Sequence, residues 1–142
     1  MKTMEGRFPG RVSCVVDTDI AIDYLMRRSY AKILLMRWTE DGLLAVSTIT
    51  HLEIHQGMKP GEEQDTIAFL DGFVSLPVDV PTARRAGALL RDLRAQGITV
   101  SIADAIVAAT ALGLGAPLLT NSTAHYPFPG LQVEKGFNTG IV

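Results

Sequence analysis

Three acidic side chains follow or open apolar segments, and a carboxylate buried there is costly unless it is paired or used. Asp17 directly follows the apolar run Val12-Ser-Cys-Val-Val16, Glu53 lies in the helical segment after the run Leu43 to Val46, and Asp104 begins the otherwise apolar stretch Ala103 to Leu112. Taken singly, each also has a plainer reading. Asp17 suits a helix N-cap, Glu53 a solvated helix surface, and Ser101-x-x-Asp104 a capping box. A cap and a ligand are compatible roles, because a carboxylate has two oxygens and about four acceptor sites. If the fold brings the three together, like charges about 4 Å apart repel by about 4 kcal/mol at an effective dielectric of 20. A divalent cation relieves that repulsion. Hard carboxylate oxygens and the lack of a cysteine cluster favour Mg2+ or Mn2+ over zinc. Such a cation polarises a phosphoryl oxygen, activates a water and stabilises charge on a leaving oxygen.

Other reactive residue types read differently. His51-x-x-x-His55 has the spacing of two zinc ligands on one helix face, but the zinc-protease motif needs Glu directly after the first His. Glu53 is about 200° around the helix from His51, so both histidines face away if Glu53 faces the acids. Cys14, the only cysteine, lies inside an apolar run and reads as a buried small hydrophobe rather than a nucleophile. The net charge of −2 provides no long-range pull on nucleic acid. A bound metal or a local basic patch must therefore supply any attraction for a nucleic acid.

The elements that must position these acids follow from periodicity and punctuation. Val12 to Val16, Leu43 to Val46, Val74 to Val78, Pro117 to Thr120 and Leu131 to Glu134 read as short buried strands. Helical patterns cover Ile20 to Arg28, Tyr30 to Trp38, Thr48 to Gly57, Glu62 to Phe73, Pro81 to Gly97 and Ser101 to Leu114. Ile20, Leu25, Ile33, Leu34 and Trp38 are inward candidates in the first two. In the fifth, Ala86, Leu89, Leu90 and Leu93 form the inner stripe and Arg84, Arg85, Arg91 and Arg94 a solvated face. Strands alternating with helices predict an α/β fold with a mostly parallel sheet covered on both faces. Ligands in such sheets bind beyond the C-terminal strand ends, which is where Asp17 and the segment after Thr120 lie.

A chain of 142 residues with 47% hydrophobic and 20% charged residues has the size and composition of one globular domain. Its longest apolar stretch, Ala103 to Pro117, is shorter than a membrane span and holds Asp104. Met1 to Arg11 has no apolar h-region of a secretory signal. A cytoplasmic protein without membrane contact is expected.

Four motifs together resemble the PIN-domain family, and within it the VapC-like toxins of toxin–antitoxin pairs. They are Val15-Val-Asp17-Thr-Asp-Ile20 with Asp23-Tyr-Leu25, Val46-Ser-Thr-Ile-Thr-His-Leu-Glu53, Ile102-Ala-Asp104-Ala-Ile-Val-Ala-Ala-Thr-Ala111, and Leu118-Leu-Thr120 with His125-Tyr126 and Pro129-Gly-Leu131. The resemblance covers residues 12–134, leaving an N-terminal extension (1–11) and a C-terminal tail (135–142). It implies a three-layer α/β/α sandwich and Mg2+- or Mn2+-dependent endonucleolytic cleavage of RNA, with Asp17, Glu53 and Asp104 as metal ligands. It also implies a homodimer and inhibition by a cognate antitoxin. One departure stands out: such proteins usually place Asn or Asp where this chain has Ser122. Asn121 or His125 is a candidate to take over, with Thr120 as a hydroxyl donor to a carboxylate. The departure also leaves an alternative, a catalytically weakened binding module that acts through its partner surface.

Overall fold

The structure, a computed structural model, describes residues 10–136. Most of the expected N-terminal extension and C-terminal tail therefore lies outside the described residues. Five strands, β1 (Val12–Val16), β2 (Leu43–Ser47), β3 (Val74–Leu76), β4 (Leu118–Thr120) and β5 (Val133–Lys135), pair in parallel in the order β3-β2-β1-β4-β5. Six helices connect them: α1 (Thr18–Leu25), α2 (Ser29–Thr39), α3 (Thr48–Gln56), α4 (Glu63–Asp71), α5 (Val80–Ala95) and α6 (Ile102–Leu114). The chain runs outward from β1 to β3, then crosses back to place β4 on the other side of β1. The crevice of an open parallel sheet lies at that reversal, between β1 and β4.

All five β1 residues are buried, and from Cys14 to Val16 their alternation divides two cores, while Val12, across a register shift in the pairing with β2, lies in the same core as Val15. Val15 packs with Ala105, Val107, Ala108 and Leu118 under α5 and α6. Cys14 and Val16 pack with Ile20, Leu34, Leu35 and Leu119 under α1 and α2. A two-residue side-chain period in a strand covered on both faces produces this division, and it makes the three-layer α/β/α sandwich that the element pattern predicts. Cys14 is fully buried, and burial alone pushes its thiol up to about 12, so it is an inert core residue. No helix among the described residues is long and apolar enough to cross a membrane.

Some sequence expectations shift. α1 begins at Thr18, not Ile20, because Asp17 caps it. It ends at Leu25, and Arg27 at φ 61° turns the chain into α2. Ile33 is 44% exposed, not inward, because Leu34 and Leu35 take the core side of α2. Arg85 does not belong to a solvated face: its guanidinium lies across α6, with Nη1 donating to the Ala109 carbonyl at 3.4 Å. Gly113 leaves the room for it, since a Cβ there would come within 2.4 Å of Nη1. Small residues on α6 are what let α5 pack closely. In the turn before β2, Gly42 at φ +148° brings its backbone so close to Arg11 that a Cβ would lie 2.3 Å from the Arg11 carbonyl oxygen.

Candidate active site

Asp17 leaves the end of β1 as the N-cap of α1, in extended backbone. Its Oδ1 accepts from the Thr18 N–H at 2.8 Å, which is the cap. Its Oδ2 accepts from Thr120 Oγ1 at 2.7 Å and Tyr126 Oη at 2.9 Å. The cap and the polar centre are thus two faces of one carboxylate. Thr120 ends β4, so its bond to Asp17 spans the crevice where the strand order reverses. Only 7% of Asp17 is exposed. Burial, and then the negative charge of Asp19, raise its acid to about 6 against the opposing effect of its three donors.

Glu53 and Asp104 join Asp17 through hydroxyls rather than directly. Thr18 Oγ1 donates to Glu53 Oε1 at 2.7 Å. Because that uses the only Thr18 hydroxyl proton, Thr50 Oγ1, 2.9 Å away, donates to Thr18. Glu53 is half-buried on α3, a helix that touches both α1 and α6. At the head of α6, Ser101 Oγ accepts from the Asp104 N–H at 3.0 Å, so the expected cap forms. The Asp104 carboxylate is directed elsewhere, with Oδ1 3.2 Å from Tyr126 Oη and Oδ2 3.6 Å from His125 Nδ1. One hydrogen-bonded row therefore runs Glu53–Thr18–Asp17–Tyr126–Asp104.

The remaining sequence candidates take distinct places. Ser122 Oγ donates to Asp19 Oδ2 at 2.9 Å, and the same oxygen accepts from the Asn121 N–H at 3.1 Å. The Asn121 side chain is engaged by the Tyr30 hydroxyl at 2.6 Å, on the α2 side, and Tyr30 in turn donates to Asp23. His125 is exposed at the rim beside Asp104. The histidines of α3 do not form a zinc pair. His51 Nε2 bonds Ser75 Oγ at 2.8 Å and His55 Nδ1 donates to the His51 carbonyl at 2.8 Å.

Sequence reasoning passed over Thr18, Asp19 and Tyr126 as site residues. Thr18 and Asp19 read from sequence, like Asp17, as good helix caps. A polar-tipped aromatic in an apolar stretch needs a hydroxyl partner when buried. That was the one signal for Tyr126, which is 4% exposed.

Among the described residues, no three Asp, Glu, His or Cys side chains are already gathered closely enough to enclose a cation. Hydroxyls occupy the spaces between the acids and satisfy them. The candidate donors are all oxygen, from Asp17, Glu53, Asp104 and Asp19, and burial makes the charge of the most buried of them, Asp17, costly without a counter-ion. Both properties fit a hard divalent cation.

Comparison with known proteins gives this crevice its relatives. The family model of the PIN domain matches residues 14–126. The protein named Ribonuclease VapC19 from Mycobacterium tuberculosis is 33% identical over 120 residues, covering 83% of this chain and 96% of that protein. A chain in a toxin–antitoxin complex from Klebsiella pneumoniae superposes with a TM-score of 0.76 at 30% identity, covering 89% of this chain and 99% of that one. A chain of VapBC2 from Rickettsia felis, bound to a DNA fragment from its promoter, shares the fold with a TM-score of 0.75 at 20% identity, covering 87% of this chain and 98% of that one. With its strand order, its acids at the β1–β4 crevice and a family match over most of its length, the chain belongs to the PIN-domain family, in its VapC group.

Proposed function

We propose that this protein is a metal-dependent endoribonuclease that hydrolyses RNA phosphodiester bonds, the toxin of a toxin–antitoxin pair held in check by its antitoxin. The observation that carries the reading is the row Glu53–Thr18–Asp17–Tyr126–Asp104 across the C-terminal end of the sheet. Asp17, Glu53 and Asp104 would hold Mg2+ or Mn2+, with Asp19 adding a fourth carboxylate at the position where Ser122 departs from the family pattern. When bound, the cation neutralises the acids, polarises the scissile phosphoryl group and supplies an activated water.

The chain's own residues divide the remaining work. Asp17, immobilised by three donors, is the fixed anchor. Glu53 and Asp104 are half-buried, so both are within reach of solvent and of a backbone phosphate. His125, on the rim, is placed to donate to a phosphate oxygen when protonated. Ser122 and Asn121 fix Asp19 and with it the loop after β4.

The antitoxin partner is proposed from the relatives' complexes and from a groove of about 870 Å³ between the α1–α2 turn and α4. Tyr24, Leu25 and Phe69 form its apolar part, Arg27, Arg28 and Lys32 line one charged side and Glu62 and Asp65 the other. Met26, Ile33 and Met36 are exposed nearby on α1 and α2. An amphipathic helix suits such a surface. The same reading makes the protein a cytoplasmic homodimer.

The test is cleavage of RNA by purified wild type with Mn2+, by wild type with EDTA, and by Asp17→Asn and Asp104→Asn with Mn2+. New RNA ends are expected only in the first. Equal cleavage by wild type and both variants would refute the nuclease reading. The weakened-module alternative predicts no cleavage and no rise in melting temperature at millimolar Mn2+, although ligand binding to a folded protein raises it.

A further inference from the structure

Of all the side chains hydrogen-bonded at the crevice, Tyr126 alone joins Asp17 to Asp104, and it does so with one atom. Its hydroxyl lies 2.9 Å from Asp17 Oδ2 and 3.2 Å from Asp104 Oδ1. These acids come from opposite layers of the fold, Asp17 from the β1–α1 junction and Asp104 from the head of α6. The ring is 4% exposed and packs in the α5–α6 core, with its centroid 6.2 Å from that of Phe128. Core packing, not the exposed loop, therefore fixes where the hydroxyl sits. A phenol carries one proton. It can satisfy one carboxylate at a time, which leaves the other oxygen facing a lone pair and ready to turn toward a cation.

We propose that Tyr126 is a positioning residue for the divalent cation: its hydroxyl sets the separation of Asp17 and Asp104 before the cation enters and stays as a donor to one of them afterwards. The inference rests on the metal-site reading above and adds a residue that contacts no metal. Hydrogen-bond partners of ligating carboxylates typically contribute about 10–100-fold to metal affinity. The ring of Phe in place of Tyr would keep the packing and remove only the oxygen. Burial and the two carboxylates push the phenol well above its ordinary range, so it remains a neutral donor at working pH.

The experiment is Mn2+ binding to the full chain by calorimetry, wild type against Tyr126→Phe, together with the metal-free melting temperature of each. The expected result is Mn2+ binding weakened about tenfold or more with the metal-free melting temperature within a few degrees of wild type. Equal or tighter binding by Tyr126→Phe overturns the proposal while leaving the metal site intact. A wild type that binds no Mn2+ overturns the metal-site reading itself, a separate and recognisable failure. A second measurement needs no variant. When wild type is titrated with Mg2+ and followed by NMR, the Tyr126 ring signals are expected to shift and those of Tyr24, stacked on Phe69, to stay in place. A stationary Tyr126 overturns the proposal.

Discussion

Replacing Asp17 by Asn is expected to stabilise the metal-free protein at neutral pH, although it destroys the proposed site. Folding raises the Asp17 acid from 3.8 to about 6, chiefly by burial and then by the charge of Asp19. Between those values the folded state binds a proton that the unfolded chain releases. The Asp17 contribution is therefore fully present below about pH 4 and is lost as pH rises through about 6. Each pH unit of difference corresponds to about 1.4 kcal/mol, so above pH 7 the ionised carboxylate costs about 3 kcal/mol. Asn is neutral and nearly the same shape. Its carbonyl keeps the cap on the Thr18 N–H, and its amide meets the Thr120 and Tyr126 hydroxyls, which can reverse their roles.

The assay is thermal unfolding in EDTA from pH 4.5 to 8. At pH 7.5, Asp17→Asn is expected to melt about 10 °C above wild type, from about 2–4 °C per kcal/mol in a domain near this size. The gap should close toward pH 4.5. Saturating Mn2+ at a hundred times its dissociation constant returns about 2.7 kcal/mol to wild type alone, so the gap should shrink or reverse with metal. A variant that melts at or below wild type in EDTA at pH 7.5, or a gap that does not change with pH, would refute the account of Asp17 as a carboxylate strained by burial. A site that is costly without its ligand is the usual trade between stability and activity.

Two further outcomes follow from single contacts. Thr18→Val removes the donor to Glu53 and is expected to lower RNA cleavage at least tenfold; it also leaves the buried Thr50 hydroxyl without its acceptor, so the melting temperature is expected to fall by several degrees, while Thr18→Ser keeps both contacts; steady-state cleavage rates of the three proteins check this against the typical 10–100-fold effect of losing such a partner. Gly42→Ala must move the backbone off the Arg11 carbonyl and break the Leu43 N–H bond to it at 2.7 Å, for an expected loss of about 3 kcal/mol by chemical denaturation, the sum of strained backbone and one lost hydrogen bond.

Much of the fold is legible in the sequence because burial on both faces leaves a plain signature. Val12 to Val16 reads as an inner strand and Ala103 to Leu112 as an inner helix, and the structure has both. Element ends are less legible, because they depend on caps. Asp17 starts α1 two residues before the first apolar position, and Asp79, whose Oδ1 accepts from the Thr82 N–H at 3.0 Å, starts α5 at Val80. Ile33 and Arg85 depart from the sequence pattern for a related reason. Helical periodicity identifies a stripe but not which neighbour lies against each of its edges, and Arg85 finds its place only because Gly113 of a later helix leaves room.

For the crevice, the division is sharper. The residue types, their order and their distance from strand ends are properties of the sequence, and with the family resemblance they make Asp17, Glu53 and Asp104 the candidates. Whether those acids meet is a property of the strand order, which returns the chain across β1 so that Thr120 and Tyr126 reach Asp17 from more than a hundred residues away. No local pattern encodes a contact of that range, because it is decided by how two layers pack on one sheet. Tertiary structure alone showed that hydroxyls, those of Thr18, Thr120 and Tyr126, hold the acids in one row, since a hydroxyl has no sequence signature until its partner is in place.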